Sequence, residues 1–450
     1  MVGVSALVLF GCSSLRHGLF QSTAFDLGHF DQAVYLISQG QSPVVSFWGY
    51  HFLGGHADLV LYLLAPLYKL YPSVYWLLGI QAIALALGAL PTWLLARQAG
   101  LTAAQALGMA VVYLLYPLIF NLNLFDFHPE VIALPVLLAV VWAARQNQVV
   151  WFILGIVLIL SCRDALSLTV AAMGLWLWWV EKRRRCGAIA VVAGSGWFVL
   201  GTQVLIPQFR PAGVEAVGRY SDLGNSVLEI AQNLLLQPQL VAQRLFTGPN
   251  LEYVILLVVP VLWGLSWRHL APLIGAVPQL VMNLITDFQP QKDLIHQYSL
   301  PIVPFLLLAL ISTLAAGKGW IRSCRGMILW SLVTFLALAK YGYFANRYLS
   351  ALDTWQATRQ AIARIPPQAS VLTLARQTPH LTHRAEIQFL KPEWDATIPI
   401  TADYVLLDQR HPGLMASAGV VNGLIDRLTQ QPTYRLVYQR DGVYLFQRQG

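Results

Sequence analysis

The sequence predicts a mostly α-helical, polytopic membrane protein with a small α/β domain at its C-terminal end. Three observations carry that class. Only 11% of the 450 residues are charged, against roughly a quarter in an average soluble domain. Hydrophobic residues make up 57% of the chain and the mean hydropathy is +0.58. Apolar runs of membrane length recur up to residue 345 and then stop. Fifteen Trp and eighteen Tyr suit a chain with many membrane–water crossings. The net charge of +8 then reads as basic residues held on the cytoplasmic side, not as a nucleic-acid footprint. Cys12, Cys162, Cys186 and Cys324 show no paired spacing and no zinc or redox motif.

In chain order, Val2–Cys12 is too short to cross a ~30 Å hydrocarbon core, which takes ~20 residues. It is expected to be the remainder of a clipped first transmembrane helix; no Lys or Arg precedes "LFGCSS", so a signal peptide lacks its basic region. The run 58–71 ends at "YPS" and reads as a half-helix in the outer leaflet. Helices follow near 74–96, 101–120, 131–145, 149–162, 165–181, 187–208, 251–267, 270–286, 298–316 and 327–345. With the first helix this makes about eleven spans. If the loop after that helix lies outside, the inner loops hold Arg97, Arg145, "EKRRR" 181–185, Arg268 and "KGWIRSCR" 318–325. That gathers ten basic residues against one acid, as the positive-inside rule requires. The multi-span region is expected to be 1–345 and the protein to sit in the cell (inner, or plasma) membrane.

Residues 346–450 read as a separate soluble, extracytoplasmic domain. "VLTLA" and "YVLLD" are strand-length runs. "TYRLVYQRDGVYLFQR" is a hairpin around Asp441-Gly442, a pair suited to a type I′ turn. "VVNGLIDRLTQQ" is an amphipathic helix between them, and strands alternating with helices suggest a small α/β fold.

Polar clusters then collect on the outer side. In "FDLGHFDQ", Asp26 stands where an N-cap would precede a short interfacial helix with apolar residues at 27, 30, 34 and 37 and Gly40 as terminator. Asp31 lies about 140° round that helix from Asp26. "YHFLGGHAD" offers His51, His56 and Asp58, ligand types that suit a divalent metal. The plainer alternative is imidazoles bonded to loop carbonyls. In "DFHPE", Asp126, His128 and Glu130 alternate, and Pro129 favours an extended residue 128. They could share one aim, with His128 a further metal ligand, or simply decorate a helix N-terminus. Arg163 and Asp164 meet where two spans have almost no loop; charges there are costly and are paired with each other or functional. Lys292, Asp293 and His296 precede another span. The outer face thus offers carboxylates for a base or a metal, and Arg163, Lys292 and His296 for a phosphate.

"FDLGHFDQAVYLISQG", "YLLAPLYKLYPS", "QAIALALGALPTWLLAR", "YLLYPLIFNLNLFDFHPE" and "HQYSLPIVPFL" resemble, in order and along most of the chain, the bacterial and cyanobacterial predicted membrane proteins grouped as domain of unknown function 2079. That family is similar to the type C glycosyltransferases, multi-span enzymes that take sugars from polyprenyl-phosphate carriers on the outer face. The resemblance implies a catalytic carboxylate in the first outer loop. Asp26 matches by location and Asp31 is second; Asp126, Glu130 and Asp164 complete the acidic candidates. Where those enzymes carry an acidic pair near "CRDA", this chain has Arg163 before Asp164, so only Asp164 carries over.

The expected function is transfer of a sugar from a polyprenyl-phosphate carrier to an acceptor at the outer face, with the bilayer and the lipid-linked sugar as partners and a divalent metal as candidate cofactor. A transporter or flippase would need ionisable groups at mid-bilayer or internal repeats, and the sequence shows neither. A non-catalytic scaffold with an outer binding domain is the third reading.

Overall fold

The computed structural model describes residues 1–392, 394 and 399–449. Each apolar run singled out above forms a helix. Among the described residues, five helical stretches are long and apolar enough to cross a membrane: Tyr75–Gln98, Ala103–Phe125, Arg184–Phe209, Gln289–Ala315 and Cys324–Leu349. A sixth is counted if Pro238–Leu245 and Gly248–Gly264, bent by 62°, make one span. Shorter apolar helices accompany them, among them Val60–Leu70, Val149–Cys162, Leu166–Trp179 and Ala271–Ile285. The chain divides into two compact units.

The first unit comprises Met1–Phe10, Leu53–Val60 and Gly79–Lys340. Its helices pack closely where glycines permit it. A Cβ on Gly194 would stand 2.6 Å from the backbone of Ser167 and Ala171, and one on Gly174 would stand 2.7 Å from Val191 N. Helices Leu166–Trp179 and Arg184–Leu200 therefore touch backbone to backbone, the small-residue packing of membrane helices. Buried polar side chains are matched to carbonyls and hydroxyls. Asn121 donates to Leu294 O (2.8 Å) and accepts from Lys340 N (2.7 Å), and Asn283 donates to the Tyr253 hydroxyl (2.8 Å). Arg145 and Glu181 form a two-point ion pair at 3.0 and 2.8 Å, which joins the C-terminal ends of helices Glu130–Arg145 and Leu166–Trp179.

The second unit comprises Gly11–Phe52, Leu61–Leu78 and Tyr341–Gly450. Its first strands, β1 (Val44–Val45) and β2 (Tyr50–His51), follow helix His29–Ser38 and form a two-stranded hairpin. Its main sheet has β3 (Val371–Thr373), β4 (Ile387–Phe389), β5 (Tyr404–Asp408), β6 (Tyr434–Arg440) and β7 (Val443–Arg448) in the order β4-β3-β5-β7-β6. The β4-β3-β5 pairings are parallel and the β5-β7-β6 pairings antiparallel. Both Asp441 (φ 49°) and Gly442 (φ 82°) are left-handed, as a type I′ turn demands. Helix Ala418–Gln430, capped by Ser417 Oγ (3.2 Å from Val420 N), lays Val421, Leu424 and Leu428 on a core with Val405, Leu407 and Phe446.

Candidate functional site

Helix Val149–Cys162 ends abruptly at Arg163, whose backbone is extended. Asp164 and Ala165 make the turn into Leu166–Trp179, held by Ser167 Oγ on Asp164 O (2.5 Å). This tight reversal buries both charges, with Arg163 8% and Asp164 6% exposed. They do not pair directly. Arg163 donates to Glu130 Oε1 and to His56 Nε2 at 2.5 Å, and His56 Nδ1 lies 2.9 Å from Asp164 Oδ1. A guanidinium can only donate, so Nε2 is the acceptor and Nδ1 carries the proton that His56 gives to Asp164. The result is a chain Glu130–Arg163–His56–Asp164 in which each partner fixes the next.

The electrostatics follow from burial. Burial disfavours the Arg163 charge, but Glu130 and Asp58 outweigh it and hold the guanidinium above its ordinary value. Burial pushes the Asp58 carboxyl well up; Arg163 opposes this, and Glu130 and Asp164 add to it. Asp164 resists its own burial through His56 and Arg163 and is held below the usual range. Glu130 Oε2 and Asp58 Oδ1 are buried without a hydrogen bond.

Glu130, Arg163, Asp164 and His56 line a cavity of about 390 Å³. The rest of its wall is mainly apolar, with Phe198, Val227, Ile230, Leu234 and Ile285 among the lining residues. Arg219 also lines it. The Arg219 guanidinium lies 4.4 Å from the Phe288 ring and 5.2 Å from the Tyr298 ring, and it donates to Gln291 Oε1 (3.3 Å). No carboxylate pairs with it among the described residues. Sequence reading missed Arg219, in a loop that had shown only length; its one signal was an Arg-Tyr pair ahead of the amphipathic segment 227–236.

The other expected residues are distributed differently. Of the "DFHPE" trio only Glu130 lines the cavity. The alternation ends because Pro129 is already helical and Glu130 opens helix Glu130–Arg145. Asp126 and His128 are buried, their backbone clamped by Gln81, which donates to Asp126 O (2.9 Å) and accepts from His128 N (3.0 Å). Gln81 was not foreseen. His128 stacks on Phe125 at 5.5 Å. His296 bonds Asp293 (2.7 Å), and Lys292 lines another cavity, of about 410 Å³, with Asp293, Glu252 and Lys340. Arg163, Lys292 and His296 therefore do not form one anion site.

Among the described residues no three His, Cys, Asp or Glu side chains converge to hold a metal. The expected set His51, His56, Asp58 and His128 is not gathered. Both His56 nitrogens are engaged by Arg163 and Asp164, so the charge between the carboxylates is a guanidinium. His51, in the second unit, stacks on Phe52 at 5.0 Å.

Asp26 and Asp31 belong to the second unit. Asp26 is not the N-cap. The turn begins three residues earlier than expected, because Ala24 N–H is bound to Ala375 O (2.9 Å). Asp26 thus falls inside a π-turn, Ala24–Gly28, and the N-cap position is Thr23. Gly40, at φ 70°, follows the end of the next helix, as foreseen. Asp31 is fully buried and accepts from the Tyr68 hydroxyl (2.5 Å), from Thr382 Oγ1, and from His383 Nε2 (3.1 Å). Burial opposes charge on His383, but Asp31 outweighs it and raises the imidazole above its usual range.

A family model described as "Predicted membrane protein (DUF2079)" matches residues 16–445. A comparison with curated proteins returns no match. Among solved structures, the chain is similar to ArnT from Cupriavidus metallidurans bound to undecaprenyl phosphate, at TM-score 0.58 and 10% identity, over 99% of this chain and 97% of that one. The same protein in its apo state aligns at TM-score 0.45 and 12% identity, over 99% of this chain and 98% of that one. The first likeness shows the fold, a multi-span helical membrane architecture, in agreement with the class read from the sequence.

Proposed function

We propose that this chain, which belongs to the DUF2079 family of predicted membrane proteins, binds a polyprenyl-phosphate-linked sugar and transfers the sugar to an acceptor hydroxyl at the outer face of the cell membrane. One observation carries the reading. The 390 Å³ cavity joins an apolar wall, suited to a prenyl chain, to two arginines, suited to a phosphate. The similar fold of ArnT, a protein crystallised with undecaprenyl phosphate, supports it.

In the transfer, the acceptor oxygen bonds to the sugar's anomeric carbon, the bond from that carbon to the phosphate oxygen breaks, and a carboxylate takes the hydroxyl proton. The charge left on the lipid phosphate needs fixed cationic donors. Arg219 supplies one, oriented by two rings and uncommitted to any carboxylate. Arg163, anchored by Glu130 and His56, supplies positive potential without being free to move. Arg219→Gln should weaken binding of polyprenyl phosphate by about 10- to 100-fold, the worth of a charge-assisted hydrogen bond, with Lys partly restoring it. Unchanged affinity in a titration of the purified protein would remove the phosphate from this cavity.

Topology is part of the proposal: residues 346–450 face the outside and the 181–185 "EKRRR" loop the cytoplasm. With Cys12 and Cys324 replaced by Ser, a Gln368→Cys variant should react with an impermeant thiol reagent on intact cells, and a Lys182→Cys variant only after permeabilisation. The opposite pattern inverts the molecule and sinks an outer-face reaction.

A further inference from the structure

We infer that the second unit carries a saccharide-binding groove, independent of the lipid-phosphate reading. The groove lies along β4, the outer strand of the sheet, and encloses about 460 Å³. That volume is within the ~300–1,000 Å³ of small-molecule sites. Two indoles, Trp48 and Trp394, line it together with Phe389, Lys391, Glu386 and Gln388.

Each group has a use toward a sugar. Trp48 is half-buried, and its plane is fixed by Phe25 (5.5 Å), Phe47 (5.6 Å) and Phe389 (6.0 Å, nearly perpendicular). A rigid, half-open indole suits the C–H face of a pyranose, which is apolar while its rim is hydroxylated. Lys391 Nζ lies 5.4 Å from the Trp48 ring centroid and 5.9 Å from that of Phe389, so a donor stands over the same platform. Glu386, just ahead of β4, and Gln388, on it, are exposed and share the lining. They offer acceptors, and Gln388 adds donors, for hydroxyls that both give and take hydrogen bonds. The Trp394 Nε1–H is buried without an acceptor among the described residues, the kind of orphan that a ligand oxygen satisfies.

The same features argue against other occupants. A peptide adding a strand to β4 needs its edge free. Ser46 Oγ already accepts from Ile387 N (2.9 Å) and donates to Ile387 O (2.7 Å). A phosphorylated ligand would want several cations, and among the described residues Lys391 is the one basic residue on the lining. A lipid tail would want a dry wall, whereas this lining alternates aromatic and polar groups.

The test uses the full chain in detergent, titrated with four probes: cellobiose, chitobiose, mannobiose and digalacturonic acid, read by saturation-transfer NMR. At least one should bind with a Kd of about 1 mM or tighter. Trp48→Leu should weaken it at least about tenfold. Trp394→Phe, which keeps the packing and removes the N–H, should weaken it measurably, with elution profile and helicity unchanged. Arg219→Gln should leave saccharide binding intact, and Trp48→Leu should leave polyprenyl-phosphate binding intact, so either reading can fail alone. No binding of any probe at about 10 mM, or a bound probe indifferent to both Trp variants, overturns the groove.

Discussion

Arg163→Gln should destabilise the protein by ~3–5 kcal/mol, the cost of stripping one partner from a buried ionic cluster. Among the described residues Arg163 is the arginine that faces Glu130, Asp58 and Asp164, and all three acids are almost fully buried. Without it, Glu130 Oε1 and His56 Nε2 lose their donor. His56 then loses the bond that holds its ring with Nδ1 toward Asp164. Asp58, already pushed upward by burial, loses the one neighbour that opposes the shift. Gln can replace at most one of these bonds and none of the charge. Lys restores charge but not the two-directional fork, so Arg163→Lys should recover only part. A Glu130→Gln change added to Arg163→Gln removes one of the stranded acids, and the pair should be less damaging than the sum of the singles. The measurement is denaturant unfolding in detergent for wild type, both singles and the double. An Arg163→Gln variant as stable as wild type would show the cluster to be hydrated, and would undercut its use as a preorganised element of the cavity.

The fold was legible where a single local pattern decides structure. The uninterrupted apolar run 149–162 reads as helical, and the helix covers Val149–Cys162, although at 14 residues it is shorter than a full span. Asp441-Gly442 was read as a type I′ turn because only residues tolerant of positive φ fit there, and both adopt it. The site was legible by residue type but not by grouping. Glu130, Arg163, Asp164 and His56 each stood out as charged or ligating residues in an oily chain. That His56 would bridge Arg163 and Asp164, across more than 100 residues of sequence, left no periodic trace. The Asp31–Thr382 bond, 351 residues apart, was equally silent. Gln81 and Arg219 were missed for a related reason: a lone amide in a membrane helix and a lone arginine in a long loop look ordinary until the structure shows what they clamp. The Asp26 cap failed because the first turn is started by a bond from Ala24 N–H to Ala375 O, a tertiary contact overriding a sound local rule.

That failure sharpens the prediction for Asp26. Thr23, not Asp26, holds the N-cap position. The turn around it is closed by backbone bonds, Gly28 N to Thr23 O (3.0 Å) and the His29 N–H to Asp26 O. Asp26→Asn keeps shape and backbone and should fold and insert normally. If Asp26 is the carboxylate that takes the acceptor's proton in the proposed transfer, the role the family resemblance implies, it should be needed for turnover. Its loss should lower transfer from a polyprenyl-phosphate-linked sugar by ~10²–10⁴-fold, the usual contribution of a general base. Asp31→Asn is the matched control. Asp31 is fully buried and accepts from Tyr68, Thr382 and His383, so an amide there turns an N–H₂ toward donors and should cost stability by ~1–3 kcal/mol. The two aspartates, five residues apart, should thus separate: Asn at 26 should change turnover far more than unfolding, and Asn at 31 should change unfolding first. Full turnover by Asp26→Asn, in an assay where wild type is active, would move the base elsewhere. Glu130, whose Oε2 is buried in the cavity wall without a hydrogen bond, would then be the carboxylate to test next.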